Sequence, residues 1–96
     1  MATRLETRRN EASGEAELWI IGVEEHKVLK GWESFSGWMW FATELNASGY
    51  HFGYVQGMHD EWGSFSEHEL KDMGHYIWEI KECDLPFAGR RLRDGI

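Results

Sequence analysis

From Trp38 the chain alternates, with Trp38, Trp40 and Ala42 on one side of an extended segment and Met39, Phe41 and Thr43 on the other. Successive strand side chains point to opposite faces, so two apolar faces predict a strand that is central or covered on both sides. Asn46-Ala47-Ser48-Gly49 then supplies a four-residue hairpin loop, because Asn and Gly accept the positive φ of a tight reversal. Tyr50 to Gln56 returns antiparallel. Tyr50, Phe52 and Tyr54 share one face there, and Gly53 on the other leaves room for a large cross-strand neighbour such as a tryptophan. A turn over Gly57 to Glu61 and a short segment Trp62-Gly63-Ser64-Phe65 extend the meander.

Ser66-Glu67-His68-Glu69 has the form of a capping box, in which the Ser hydroxyl and the Glu carboxylate each satisfy an orphan amide, so a helix begins here. Its expected exposed side carries Glu67 and Lys71 at i, i+4, its buried side Leu70 and Met73, and Gly74 suits a left-handed stop. Tyr76, Trp78 and Ile80 then alternate against His75, Glu79 and Lys81 as a final strand, which Pro86 ends. Upstream, Leu18 to Val23 reads as a strand and Lys27 to Lys30 as a second, short one, the two forming a hairpin. Gly31 with Ser34, Ser36 and Gly37 reads as a turn. The expected fold is α+β: an antiparallel β-meander of about five strands with one short helix packed on it. Residues 1–14 are expected to be a flexible basic arm, 15–87 a single domain and 88–96 a basic mobile tail.

Ninety-six residues make a small core, to which six Trp, five Phe and three Tyr add volume at roughly 150–250 Å² of burial each. A single cysteine, Cys83, permits no internal disulfide, and no apolar run approaches the ~20 residues that span a bilayer. The opening MATRLETRRN lacks the apolar centre of an export signal, so the cytoplasm is the expected location.

The net charge of −7 conceals a layout. Arg4, Arg8 and Arg9 precede the first expected strand and Arg90, Arg91 and Arg93 follow the last. Between residues 10 and 89 only four lysines face fifteen Asp and Glu. Such a field repels phosphates and favours basic partners with fast, salt-sensitive association. The plainer reading is an acidic surface that keeps the protein soluble.

The succession GWMWFATEL, HFGYVQGM, EWGSFSEHEL and, after a gap, IKECDLPF resembles a family of small single-domain proteins of unknown function carried on plasmids, conjugative elements and phages. That family shows an aromatic GWxWY-T-E strand, an FFG-V-G strand, a G-FS-x-x-EL helix start and a closing I-E-R-D-L-x-F. Gly37, Trp38, Trp40, Thr43 and Glu44 match the first element, Phe52, Gly53, Val55 and Gly57 the second, Gly63, Phe65, Ser66, Glu69 and Leu70 the third, and Asp84, Leu85 and Phe87 the last. The match covers Gly37 to Phe87. Cys83 stands where the family commonly has arginine, and the amino-terminal region departs from the family's opening helix. The resemblance implies a mobile-element setting and an α+β fold, and no reaction.

Candidate chemistry is sparse. His26, His51, His59, His68 and His75 show none of the CxxC, HxH or HExxH spacings of metal sites, so no metal or other cofactor is expected. Cys83 lies between Glu82 and Asp84, whose charges disfavour the thiolate, and reads as a semi-buried structural residue. The carboxylates Asp60, Glu61, Glu67 and Glu69 cluster around a turn and a helix start, where a helix amino terminus attracts them in any case. The terminal arginines could touch phosphates, but the acidic middle opposes nucleic-acid binding.

Two functions from different classes fit this pattern. One is a non-enzymatic interaction module, of the kind with which mobile elements inhibit host defence by blocking a basic nucleic-acid-binding surface. Its expected contacts are Asp60, Glu61, Trp62, Glu67 and Glu69, with Glu24, Glu25 and Glu33 next. The other is a small hydrolase or transferase built on His59, Asp60, Glu61 and His68, which requires those side chains to converge in a pocket. A third arrangement, a homodimer paired through an exposed edge strand, is compatible with either.

Overall fold

A computed structural model describes residues 3–88 of the chain. Two units organise it: one holds the chain up to Val28 and again from Lys81, the other spans Leu29–Ile80. The described part is α+β in the coarse sense expected, but it contains eight strands in two antiparallel sheets instead of about five in one meander. No helix among the described residues is long and apolar enough to cross a membrane.

In the first unit, β1 (Arg4–Arg9), β2 (Ala16–Ile21) and β3 (Glu25–Lys27) form a sheet in that order. The expected flexible arm is therefore largely a strand, paired with β2 from Arg4↔Ile21 to Arg9↔Ala16. Alternation sorts its residues. Leu5 and Thr7 share a face with buried Leu18 and Ile20, while Glu6 and Arg8 stand with Glu17, Trp19 and Lys27 on a charged face. Arg8 bonds Glu6 at 2.9 Å and Glu25 at 2.8 Å and lies 5.1 Å over the Trp19 ring. Ser13-Gly14, expected to end the arm, closes the β1–β2 hairpin instead: Asn10 Oδ1 accepts from the amides of Ala12 and Ser13, and Gly14 takes φ +76°. The β2–β3 hairpin matches the expectation, with its strand boundaries two to three residues earlier in the chain. A 3₁₀ turn, Leu85–Phe87, packs on β2 and buries Leu85. The expected tail lies, apart from Ala88, outside the described residues.

In the second unit, β4 (Lys30–Ser34), β5 (Met39–Glu44), β6 (Tyr50–Gln56), β7 (Asp60–Ser66) and β8 (Ile77–Glu79) form a sheet in the order β7-β6-β5-β4-β8. β5 is central, and both its faces are buried at Phe41 and Ala42, as the alternation predicts. β4 replaces the expected turn at Gly31, which sits opposite Phe41, beside Trp32 opposite Trp40. Gly53 does not face a tryptophan. It lies between Ala42 and Gly63, where the β5 backbone bulges towards it.

Helix α1 (Glu67–Asp72) shows the hydroxyl half of the expected capping box, with Ser66 Oγ accepting the Glu69 amide at 3.2 Å, and Gly74 at φ +64° follows its end. It lays Leu70 on Trp32, Ala42 and Phe65, with Trp40, Val55 and Ile77 around them. Met73, expected beside Leu70, is half exposed, because a helix of six residues has room for one inward position.

Candidate functional site

β6 places His51 on the face covered by α1, and β7 delivers Glu67 as the first residue of that helix. The His51 ring is buried, stacked on Trp32 at 5.8 Å and meeting Phe65 edge-on. Its Nδ1 accepts from the Asn46 amide at 3.1 Å, and its Nε2 lies 2.9 Å from Glu67 Oε1. Lys71 reaches Glu67 at 2.8 Å from the next helical turn, and Lys30 reaches it at 3.5 Å from β4. These donors hold the Glu67 carboxyl down at about 2, the Lys71 hydrogen bond contributing most and the His51 bond next, while Glu67 in turn raises Lys71. Both His51 nitrogens are engaged within this network, Nδ1 by the Asn46 amide and Nε2 by Glu67.

Glu67 is therefore not the exposed contact residue its spacing suggested; its i, i+4 partner is as expected, but Lys30 and His51 arrive from other strands and enclose it. His51 was absent from the expected site. Its signal was available, since it alternates with Tyr50 and Phe52 and so falls on the face of Gly53 and Val55.

The remaining expected contacts are dispersed. Asp60 and Glu61 are consecutive in β7 and point to opposite faces of the sheet, so the two carboxylates do not serve one pocket. Asp60 accepts weakly from Tyr54 and Gln56, at 3.4 and 3.5 Å. On its face Trp62 stacks on Phe52, 5.9 Å away and 14° from parallel, and meets Tyr54 edge-on. Phe52 and Trp62 keep 37% and 38% of their surface in solvent, which leaves a partly exposed aromatic pair beside a carboxylate. Glu69 is exposed on α1. Glu33 accepts from Trp78 Nε1 towards the β8 edge of the sheet, opposite the β7 edge. Glu24 and Glu25 belong to the other unit, where Glu24 lies 3.5 Å from His26 and Glu25 is bound to Arg8.

His59 is exposed in the turn before β7, and His68 is exposed on α1 with Asp72 at 3.9 Å. Among the described residues no group of three or more His, Cys, Asp or Glu is arranged to hold a metal ion. Cys83 is exposed, not semi-buried, because residues 82–84 form a turn ahead of the 3₁₀ segment.

Comparison with protein-family models, with curated proteins and with solved structures finds no match to this chain.

Proposed function

We propose that the protein is a non-enzymatic interaction module of a mobile element, which docks on a basic nucleic-acid-binding surface of a host-defence protein and blocks it. One observation carries the reading. The Leu29–Ile80 unit has two lysines against eight Asp and Glu, and both lysines are drawn to Glu67. The exposed carboxylates Asp60, Glu61 and Glu69 consequently have no cationic partner among the described residues. Unpaired surface charge of one sign steers and selects a partner of the opposite sign, and the Phe52–Trp62 pair adds apolar area beside Asp60. The buried His51 ring and the opposed carboxylates of β7 offer no comparable support for hydrolysis or group transfer.

The test is affinity capture from the host with the tagged protein and with a variant carrying Asp60→Lys, Glu61→Lys and Glu69→Lys, at low and raised salt. Glu67 is left intact because it holds the fold. The expected result is a nucleic-acid-binding protein retained by the parent, lost by the variant, released by salt and prevented from binding its nucleic acid. Equal capture by parent and variant overturns the reading.

A further inference from the structure

β7 is an outer strand of its sheet, and its backbone there has the form of a pairing edge. Opposed residues of an antiparallel pair alternate between those that exchange backbone hydrogen bonds and those whose amides and carbonyls point away from the partner. Two bonds at the ends of the β6–β7 ladder fix the phase: the Gly57 amide bonds the His59 carbonyl at 3.4 Å, and the Glu67 amide bonds the Gly49 carbonyl at 2.8 Å. Counting inward from either end, Val55↔Glu61, Gly53↔Gly63 and His51↔Phe65 are the pairs that exchange bonds. Asp60, Trp62 and Ser64 therefore turn their backbone groups outward, where the sheet has no further strand among the described residues. Phe52, opposite Ser64, agrees: its carbonyl faces β5, where Thr43 Oγ1 donates to it at 3.4 Å.

Sheet edges are normally blunted by short length, lysine, proline or a bulge. β8, at the opposite edge, has three residues. β7 has seven, in unbroken register with β6 and without Lys, Arg or Pro. Asp60, Glu61, Trp62 and Ser64 are exposed. The charges of the strand are the carboxylates of Asp60 and Glu61, in a unit with two lysines against eight Asp and Glu. That field disfavours a second copy of the chain on this edge and favours a cationic strand.

We propose that β7 takes an extended basic segment of a partner protein as an added antiparallel strand, bonded to the backbone of Asp60 and Ser64 and running past Trp62. Strand addition draws affinity from main-chain bonds and specificity from alternate side chains. Asp60 and Trp62 lie on one face of the sheet and Glu61 and Gly63 on the other, so two adjacent cations opposite Asp60 and Glu61 each reach one carboxylate. Of the two residues preceding those cations, the nearer rests against the Phe52–Trp62 stack. The farther, opposite Gly63, has room for a large ring, since nothing lies within 4 Å of a Cβ there. This inference rests on the reading of the protein as an acidic docking module and names the part of the partner that it engages.

The probe is the peptide acetyl-Thr-Tyr-Val-Arg-Lys-Thr-amide, titrated into the full chain labelled with nitrogen-15. The amides of Asp60 and Ser64 are expected to shift saturably and to gain protection from hydrogen exchange. An N-methyl group on the peptide's Lys nitrogen, which faces β7 in this register, should weaken binding about tenfold or more, whereas one on its Arg nitrogen, which faces away, should not. The two methylated peptides carry the same charge, so their difference isolates the backbone bond. Ser64→Pro removes an outward amide without breaking a bond to β6 and should weaken the peptide to a similar degree. The comparison of methylated peptides on the natural protein decides the matter if that variant does not fold. No binding of the peptide, or equal binding of the two methylated forms, overturns strand addition, and the acidic docking reading then stands or falls by its own charge-reversal test. A dimer in sedimentation whose Asp60 and Ser64 amides are already protected overturns it too, giving the edge to a second copy.

Discussion

His51 Nε2 stands 2.9 Å from Glu67 Oε1 while Nδ1 of the same ring accepts the Asn46 amide, so the neutral ring carries its proton on Nε2 and donates it to Glu67. With the Glu67 amide bonded to the Gly49 carbonyl at 2.8 Å, this ties the β5–β6 loop to the start of α1. Glu67 has its pKa lowered from 4.5 to about 2. A depressed carboxyl pKa contributes stability that is present above the unfolded value and lost as pH falls through the folded one. Urea unfolding should therefore show a loss from this group of about 2 kcal/mol as pH drops through that window. Glu67→Gln should be weaker by a similar amount near neutrality and lack that part of the acid dependence. Parallel pH profiles for the two proteins would remove Glu67 from this role.

His51→Phe keeps an aromatic ring between Trp32 and Phe65 but removes both hydrogen bonds. The Asn46 amide loses its acceptor and Glu67 a donor, while Lys71 and Lys30 remain. A loss of about 1–3 kcal/mol is expected for groups stranded in this way, read as a lower urea midpoint with an unchanged slope. His51→Ala should cost more, because it also empties the stack. Equal stability of the Phe variant and the parent would show that ring packing alone fixes this residue.

What could be read from the sequence followed the range of each signal. The alternation of β5, the Asn46–Gly49 loop and the Ser66 cap depend on residues a few positions apart, and the fold reproduces them. β1 has one large apolar residue, Leu5, and is held by β2 and by the Arg8 pairing to Glu6 and Glu25, contacts that span much of a hairpin. β4 looked like a turn because Gly31 and Ser34 dominate it. Its identity comes from Phe41 and Trp40 opposite, and from β8 pairing across some forty-five residues. The same limit applied to the site: the Glu67–Lys71 spacing was visible locally, whereas the burial of Glu67 depends on Lys30 and His51.

Gly53 and Gly63 face each other across β6 and β7 yet should respond differently to alanine. A Cβ at Gly53 would stand 1.8 Å from the Phe41 carbonyl oxygen and 2.9 Å from Ala42 Cα, atoms of a central strand that cannot move aside. At Gly63 nothing lies within 4 Å. Gly53→Ala should cost about 3 kcal/mol or more, or prevent folding, and Gly63→Ala should stay within about 1 kcal/mol of the parent. Thermal unfolding of the two variants side by side decides this, and a tolerated Gly53→Ala would mean that the β5 bulge is not fixed.

The last expectation concerns the polar strand β1, which lies at the edge of its sheet and depends on Arg8 to neutralise Glu6 and Glu25. Those carboxyls are drawn below their usual range by the Arg8 hydrogen bond, and the arginine is raised in return. The groups are close to solvent, so the contribution is screened by salt and confined to its neighbourhood. Arg8→Glu would set three carboxylates side by side over Trp19. Amide hydrogen exchange of residues 4–9 should then accelerate, as it should, less strongly, in the parent at high salt, while β5 and β6 keep their protection. Exchange in β1 that ignores both the substitution and the salt would show that Leu5 and the backbone ladder hold this strand without help from charge.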